Sequence, residues 1–480
     1  MNKKKIFSDY LFNLMRTVLN VAMPMITLPF VLNRIGPENY GIYNYVNSII
    51  SYFTMAAVLG IPTYASREIA RQEGEGIDQS ATEIFTIQLI SVALASLVFY
   101  LGFYPFFAKE HQTVFLILSI QIAGNVFNTE WFYIGRQKFK YIALRSMIIK
   151  FLNVLAILLL VRESENCHTY ALIIVMTGLA TGLVNIRGVI PHLKFRDLNL
   201  RRHIRPILVL FALSVTGMIN SSIDKTLTGV LVGPLYVGYY SLGFRLTRIL
   251  QQVFTAMNSI IFPRITKILA NGAEKDSDKL HRFSMNYILM LSFPILLGLF
   301  LYAEDIILLL FEPELLPAVT SLIILTGTVP VIAVLNVVRQ QILLPRDKDR
   351  ILIYLTIVTT LTNIVFNLLL VPRWQHNGAA AATLMAESAG LVYGLLYASR
   401  KFSINLFAWS QLKYLLAAPV LLFPWYMLNP LKDLYPLFLV FAGQLVLSVI
   451  LFFIMLFLLR DDFFYRYMRK SLQKAKKRIK

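Results

Sequence analysis

The chain has 480 residues, of which 57% are hydrophobic and only 15% are charged, and its mean hydropathy is +0.63. This composition is too apolar for a soluble protein of that length and is typical of a polytopic membrane protein. The formal net charge of +20 does not indicate nucleic-acid binding, because most basic residues lie in alternate loops between apolar stretches.

Apolar stretches of about 20 residues predict fourteen transmembrane helices. Their approximate cores are residues 10–32, 40–62, 82–108, 112–134, 142–161, 168–190, 206–231, 236–262, 283–303, 317–344, 351–371, 377–399, 412–428 and 434–459. The longest stretches outside these cores, around 264–282 and at the C-terminus, are too short for a soluble catalytic domain. The sequence therefore predicts an all-α polytopic membrane protein that is not an enzyme.

The distribution of basic residues predicts the orientation of the chain. With the N-terminus in the cytoplasm, most Lys and Arg fall on the cytoplasmic side, and the opposite loops hold only Arg34, Lys109, Arg162, Arg373 and Lys432. Because cytoplasmic loops carry an excess of Lys and Arg and the helix number is even, both termini are predicted to be cytoplasmic. The first apolar stretch is predicted to be a retained helix rather than a signal peptide, since it is long and contains Arg16, Pro24 and Pro29.

One segment of the chain recurs with the same spacing. Gly36, Pro37, Gly41 and Tyr43 in IGPENYGIY match Gly233, Pro234, Gly238 and Tyr240 in VGPLYVGYY. The offset spans six predicted helices, so the copies have the same orientation and form a parallel repeat, and substrate sites in such transporters lie between the halves. The predicted divisions are an N-lobe at 1–192, a basic linker at 193–205, a C-lobe at 206–402, two further helices at 403–460 and a basic tail at 461–480.

Four arginines lie deep inside the predicted spans: Arg16, Arg245, Arg248 and Arg339. An arginine at the centre of a spanning helix costs about 2.5–3.5 kcal/mol on the insertion scale, so it normally faces a hydrated cavity or a partner. This placement indicates an anionic cargo. Lys150 lies in the cytoplasmic half of its span; like Arg16 and Arg339, it is close enough to the cytoplasm for its charge to reach water.

Polar side chains form stripes on the first two helices of each half. Within each stripe the residues recur at the three- and four-residue spacing of one helix face. The amides in these stripes include Asn13, Asn20, Asn47, Asn220 and Gln252. These amides are candidate substrate-binding residues in a hydrated lumen, and hydrogen bonding between helices is the alternative. Pro24 and Pro29 are predicted to bend the first helix and act as a hinge, because proline removes a backbone hydrogen bond.

Three acidic residues also lie well inside the predicted spans: Glu130, Asp224 and Glu387. They are candidates for ion coupling or gating, with Glu387 nearest the middle of the membrane; structural ion pairs are the alternative. Glu130 could pair with an arginine of the other half. All six histidines lie in or at the ends of predicted loops, which argues against an intramembrane metal site. No cofactor is predicted.

A set of residues, in their order along the chain, resembles the pattern of the Wzx-type polysaccharide flippases of the MOP superfamily, which belong to a polysaccharide transporter family. The matching positions are Pro24, Thr27, Pro29, Arg34, Ile35, Gly36, Tyr40, Gly41, Gly60, Ile61, Tyr64, Arg67, Glu130, Trp131, Phe132, Gly135, Gln341, Pro345, Lys348, Asn367, Pro372, Gly378 and Ala379. The resemblance implies two pseudo-symmetric six-helix lobes plus two C-terminal helices. It also implies export of undecaprenyl-pyrophosphate-linked oligosaccharide repeat units, for O-antigen or capsule, across the bacterial plasma membrane by alternating access. A proton or sodium gradient would drive this transport, with polysaccharide polymerase or export machinery as partners.

Other functions fit the same composition less well. A lipid II-type flippase also moves a lipid pyrophosphate. A multidrug exporter of the same superfamily would prefer acids and aromatics over arginines, because its cargo is usually cationic. A membrane polysaccharide polymerase would need a large external loop or clustered His, Asp and Glu residues, and the sequence shows neither.

Overall fold

The computed structural model describes residues 3–72, 75–162, 167–196, 198–402, 404 and 406–465; it does not describe the side chains at 3–22, 75, 213, 214, 216–221, 253, 255, 256, 259, 260 and 275. Across this part the chain is helical, and nine helical segments are long and apolar enough to cross a membrane. The all-α membrane fold predicted from the sequence is confirmed. The chain divides into two compact units, Met1–Ser241 and Leu242–Lys480.

The first unit contains α1 to α9 and the start of α10. Their bounds are α1 (Lys3–Val58), α2 (Ile61–Arg71), α3 (Glu75–Leu97), α4 (Tyr104–Phe107), α5 (Gln112–Gly124), α6 (Glu130–Gly135), α7 (Phe139–Leu160), α8 (Cys167–Ile186), α9 (Arg201–Val232) and α10 (Pro234–Ala270). A π-helical turn, Val98–Phe103, joins α3 to α4. The backbone of α1 leaves helical geometry at Gly36, so α1 consists of two arms, 3–35 and 37–58.

The second unit contains the rest of α10 and seven further helices. These are α11 (Glu274–Leu310), α12 (Ala318–Thr326), α13 (Thr328–Val337), α14 (Asp349–Phe402), α15 (Leu412–Ala417), α16 (Leu422–Leu428) and α17 (Leu437–Leu458). A π-helical turn at Val338–Leu343 continues α13, and α14 breaks at Gln375. With the breaks in α1 and α14 counted, each predicted span overlaps one helical arm or one run of consecutive short helices. The division between lobes at residue 192 stays a prediction.

The repeated motif forms the same local structure in both places. Gly36 has φ 74° and Gly233 has φ 101°, a region that glycine enters without steric penalty. Pro37 and Pro234 each begin the following helix, where the missing N–H and the fixed φ of proline cost nothing. The motif therefore interrupts helical geometry between two long helices.

The helices extend beyond their apolar cores. The predicted loop at 264–282 is almost entirely helical, because α10 continues to Ala270 and α11 begins at Glu274. Hydropathy detects the part of a helix inside the bilayer, whereas backbone hydrogen bonding continues into water. One consequence corrects the sequence analysis: His281 lies within α11 and is buried, not at the end of a loop.

Each unit has its own apolar core. In the first unit Val46, Ile50 and Leu118 belong to one buried cluster, and Trp131 belongs to a second that also includes residues of α2 and α3. In the second unit the core includes Val338 and other residues around the π turn at Val338–Leu343. Exposed large apolar residues are common on the outer faces of α7 and α17, as expected where helices face lipid tails.

Candidate functional site

Two predicted arginines and one predicted acid form a charged cluster in the second unit. Arg248 lies near the middle of α10, Arg339 lies on the π turn after α13, and Glu387 lies near the middle of the second arm of α14. Arg339 interacts electrostatically with both Glu387 and Arg248. The cluster holds two cations and one anion, so it retains an excess positive charge inside apolar helices.

The π turn determines where Arg339 lies. A π turn holds one more residue than an α-helical turn and frequently occurs at functional sites. Val338, Ile342 and Leu343 in this turn are buried, while Arg339 is only half-buried. The turn therefore presents the guanidinium group next to Glu387 and Arg248 while its apolar neighbours stay in the core.

Small residues bring the helix that carries Glu387 close to its neighbours. They recur every four residues along the second arm of α14: Gly378, Ala382, Ala386, Gly390, Gly394 and Ala398, all buried. Small residues at this spacing let membrane helices approach closely. A Cβ at Gly394 would lie 3.0 Å from Cγ1 of Val338, in the π turn. This packing leaves Glu387 only 5% exposed.

Two faces of α10 have different environments. On one, the guanidinium carbon of Arg248 lies 4.9 Å from the ring centre of Phe244, within cation–π range. On the other, buried Gln251 donates to Thr328 Oγ1 at 3.1 Å, and Asn258 Oδ1 accepts from Gln341 Nε2 at 2.6 Å. Sequence reasoning missed this second stripe, whose detectable signal is two amides one heptad apart.

A second polar network in the first unit contains Asp224. Its carboxylate is buried and accepts a hydrogen bond from the Tyr240 hydroxyl at 3.0 Å. The neighbouring Lys225 donates to Asn44 Oδ1 at 3.2 Å. Asp224 on α9 is thus tied to Tyr240 of the repeated motif, at the Gly233 turn.

Glu130 pairs within its own unit. Arg145 of α7 lies 2.6 Å from Glu130 Oε2, and the Arg145 side chain is 5% exposed. The sequence suggested that Glu130 could pair with an arginine of the other half. The structure instead provides Arg145, which sequence analysis did not single out because it lies only three residues from the cytoplasmic end of its predicted span, 142–161. This contact is a partly buried ion pair; a role in gating stays a prediction.

The other predicted site residues fall into two groups. Arg245 is exposed on α10, whereas Lys150 on α7, Asn47 on α1 and Gln252 on α10 are half-buried. The side chains of Asn13, Arg16, Asn20 and Asn220 lie outside the described residues.

The backbone at Pro24 and Pro29 stays helical, and the break in α1 lies at Gly36. The hinge at the two prolines remains a prediction.

A cationic cavity lies in the first unit, where α2 meets the start of α9. Its volume is about 470 Å³, and its lining is Tyr64, Arg67, Glu68, Arg71, Arg205, Pro206, Val209 and Leu210. Three guanidinium groups therefore face one carboxylate. Within the described part of the chain, none of these guanidinium groups has a hydrogen-bond or ion-pair partner. An anion would be favoured here.

A buried network supports the wall of the cationic cavity. The Tyr64 hydroxyl lies 2.7 Å from His203 Nδ1, and His203 Nε2 lies 2.7 Å from Glu83 Oε2. Glu83 also pairs with Arg202 at 2.6 Å and accepts a hydrogen bond from the backbone N–H of Asn199 at 2.8 Å. Sequence reasoning missed this network, because it predicted His203 only as part of a loop.

The comparison with protein families decides the assignment. A model described as polysaccharide biosynthesis protein matches residues 6–269, which is more than half of the chain. The chain belongs to the polysaccharide biosynthesis protein family. It is a membrane transporter and not an enzyme.

Relatives of this family member carry transport names. A candidate O-antigen transporter of Escherichia coli (strain K12) is 22% identical over 379 residues, which cover 77% of this chain and 90% of that protein. A protein of Haloferax volcanii described as a low-salt glycan biosynthesis flippase is 25% identical over 242 residues, covering 49% and 51% of the two chains. The lipid II flippase MurJ has a similar fold, with a TM-score of 0.75 and 16% identity, covering 94% of this chain and 99% of that one.

Proposed function

We propose that this member of the polysaccharide biosynthesis protein family flips an undecaprenyl-pyrophosphate-linked oligosaccharide repeat unit from the cytoplasmic to the outer leaflet of the plasma membrane by alternating access. The observation that carries the proposal is the charged cluster, which keeps two guanidinium groups and one carboxylate inside apolar helices. A pyrophosphate carries about two negative charges, and guanidinium groups bind phosphate oxygens in bidentate geometry. The E. coli relative, described as an O-antigen transporter, supports the class of cargo.

Within this proposal Arg248 and Arg339 bind the pyrophosphate, with Arg245 and Arg16 as further contacts along its path. Arg248 is the least replaceable, because it lies near the middle of a 37-residue helix and cannot reach the water at either end. The polar side chains of the same helices, including Asn47 and Gln252, contact the glycan. The polyprenyl chain remains in the bilayer.

Glu387 couples flipping to a proton or sodium gradient in this proposal. Its side chain is nearly inaccessible to solvent and interacts electrostatically with Arg339. Entry of a cation at Glu387 would weaken its attraction for Arg339, so the guanidinium group would become available to the pyrophosphate. Asp224 and Glu130 serve as gating contacts.

The cationic cavity provides the first contact with the cargo. With both termini in the cytoplasm, as the distribution of Lys and Arg predicts, the cavity faces the cytoplasmic leaflet where the lipid-linked glycan is made. Three guanidinium groups beside the apolar residues Pro206, Val209 and Leu210 suit a phosphate headgroup attached to a lipid chain.

The test is flipping of an undecaprenyl-pyrophosphate-linked repeat unit by the purified chain in proteoliposomes with an imposed ion gradient. Arg248→Ala is expected to lower the initial rate about 100-fold, since two lost charge-assisted contacts are worth roughly 3 kcal/mol. Arg373→Ala, at an exposed arginine, is the matched control. Undiminished flipping by Arg248→Ala would contradict the role of the cluster. Glu387→Gln is expected to abolish the dependence on the gradient, and gradient-driven flipping by that variant would contradict ion coupling.

A further inference from the structure

A second cavity in the first unit has an entirely different chemistry. Its volume is about 340 Å³, and it lies among α5, α8 and the second arm of α1. We call it the amide cavity after its lining, which contains the polar residues Thr54, Gln121, Asn125, Asn128, Thr181 and Asn185. No acidic or basic side chain is part of this lining. A site built only from amides and hydroxyls suits a neutral polar ligand.

Two of these amides have unused hydrogen-bonding capacity. Asn185 is 1% exposed, and its Oδ1 atom has no hydrogen-bond partner within the described part of the chain. The Nε2 atom of Gln121 is also buried and has no hydrogen-bond partner there. A buried polar atom without a partner is destabilising, and native proteins rarely keep one without a reason. The residues that carry this acceptor and this donor both line the amide cavity. Together, an acceptor and a donor complement a ligand hydroxyl, which both donates and accepts.

The shape of the amide cavity depends on a break in the helix that forms its wall. Gln88 of α3 is buried and donates from Nε2 to the carbonyl oxygen of Asn125 at 2.6 Å. Its Oε1 accepts from Trp131 Nε1 at 3.1 Å. Gln88 thus satisfies the backbone at the break between α5 and α6, so that Asn125 and Asn128 reach the cavity. Gln88 is a positioning residue.

Space in the cavity is kept open at one glycine of α8. A Cβ at Gly178 would meet no atom within 4 Å, whereas a Cβ at Gly182 would lie 2.6 Å from Cβ of Phe127. Gly182 therefore permits close packing, and Gly178 borders empty space. A neighbouring cavity of about 360 Å³ shares Thr54 and Asn125 with the amide cavity and extends to Gly60 and Thr63. The combined space is larger than one sugar ring needs.

We infer that the amide cavity binds the hydroxyl groups of a sugar residue of the cargo, an inference that rests on the proposed function. The Gln121 N–H donor disfavours a bare cation, and the absence of charge in the lining disfavours the pyrophosphate. Sugars are recognised by amides and hydroxyls that satisfy each ring hydroxyl in both directions. The two ends of one lipid-linked glycan would thus be bound by different chemistry, guanidinium groups for the phosphates and neutral amides for the sugar.

The experiment compares two probes on the full chain in detergent: undecaprenyl pyrophosphate and the same lipid bearing one N-acetylglucosamine. The wild-type chain is expected to bind the glycosylated lipid more tightly. Gly178→Leu, which fills the cavity, is expected to remove that gain and leave the affinity for undecaprenyl pyrophosphate unchanged. Ala180→Leu adds the same side chain to the exposed face of α8 and is the control.

Asn185→Leu separates a binding role from a structural one. Leucine has a similar size and removes the buried acceptor without a partner, so the variant should unfold at the same or a higher temperature than the wild type. Its affinity for the glycosylated lipid should fall about fivefold, the loss expected for one hydrogen bond.

The outcomes distinguish this inference from the proposed function. If the wild-type chain binds neither lipid, both fail. If it binds both lipids and Gly178→Leu keeps the sugar-dependent gain, the amide cavity is not the sugar site and the proposed function stands. An equal loss for both lipids in Gly178→Leu, or the same loss in Ala180→Leu, also overturns the sugar assignment.

Discussion

Gly41 and Gly238 lie in reciprocal contacts: a Cβ on Gly41 would overlap the carbonyl group of Pro234, and a Cβ on Gly238 would overlap that of Pro37. Both glycines stand at the same place in the repeated motif. Each copy therefore packs its glycine against the proline of the other copy, as expected for two repeats related by an approximate two-fold axis. The glycine spacing that the sequence shows twice is thus needed for the contact of one copy with the other.

Substituting alanine for either glycine is expected to destabilise the chain. Because the added methyl group would meet backbone atoms, which cannot rotate away, Gly41→Ala or Gly238→Ala should cost about 1–3 kcal/mol. The measurement is the midpoint of thermal unfolding in detergent. Gly298→Ala is the control, since its Cβ would lie 3.9 Å from Leu421 Cδ2, an ordinary contact. A Gly41→Ala variant as stable as the control would show that the helices separate without cost.

The effects of substituting Glu387 and Arg339 on the stability of the chain are expected to depend on one another. Glu387→Gln leaves Arg339 beside Arg248 without compensation, and Arg339→Gln leaves a buried carboxylate, so each single variant should lose stability. In the double variant the losses should not add, with a coupling of about 1–2 kcal/mol.

The coupling is measured by a double-mutant cycle on the free energy of unfolding. Glu304→Gln, at an exposed acid of α11, is combined with Arg339→Gln as the control and should give an additive result. Additivity for Glu387 and Arg339 would mean that the two side chains do not interact.

The sequence predicts the helices well because each span is an uninterrupted run of apolar residues. About 20 apolar residues mark a helix wherever it packs, and the Gly-Pro motif marks the turns at Gly36 and Gly233 by local backbone requirements. The repeat could be predicted for the same reason. Hydropathy does not show how far a helix continues into water, which is why the loop predicted around 264–282 is mostly helical.

The candidate site could be predicted only residue by residue. Depth in an apolar stretch singles out Arg248, Arg339 and Glu387, but their proximity depends on the π turn at Val338–Leu343, which no residue type announces. Partners such as Arg145 for Glu130, or Gln341 for Asn258, depend on the rotation of two helices about their axes. A single sequence does not contain that information in any local pattern.

Removing the buried carboxylate of Glu83 should destabilise the first unit strongly. Glu83 is fully buried and contacts Arg202 and His203, so Glu83→Gln leaves these groups without a negative charge. The loss of this charged acceptor costs about 1–3 kcal/mol, since Arg202 is partly exposed and water can solvate its guanidinium group. Thermal unfolding measures the loss, and Glu110→Gln at an exposed position is the control. Equal stability of the two variants would contradict a stabilising role for the network.

Neutralising the cationic cavity should weaken the first contact with the cargo. Arg67→Gln combined with Arg205→Gln removes two of three guanidinium groups and is expected to lower the affinity for undecaprenyl pyrophosphate about tenfold at low salt. The difference from wild type should shrink as salt rises, because exposed charges are screened. Binding isotherms at two ionic strengths provide the measurement, with Arg187→Gln as the control. A salt-independent difference would indicate a structural effect.

Gln375 has φ 52° and ψ −129°, a backbone conformation that residues other than glycine rarely adopt. It separates the two arms of α14, and the arm that follows carries Glu387. Gln375→Gly should therefore relieve strain and raise the free energy of unfolding by about 1 kcal/mol, because the gain at the turn exceeds the added entropy of the unfolded chain. Ala381→Gly, within the helical part of the second arm, should instead lose about 1 kcal/mol. Opposite signs for these two glycine substitutions, measured by thermal unfolding, would place the strain at the turn; a loss for both would contradict it.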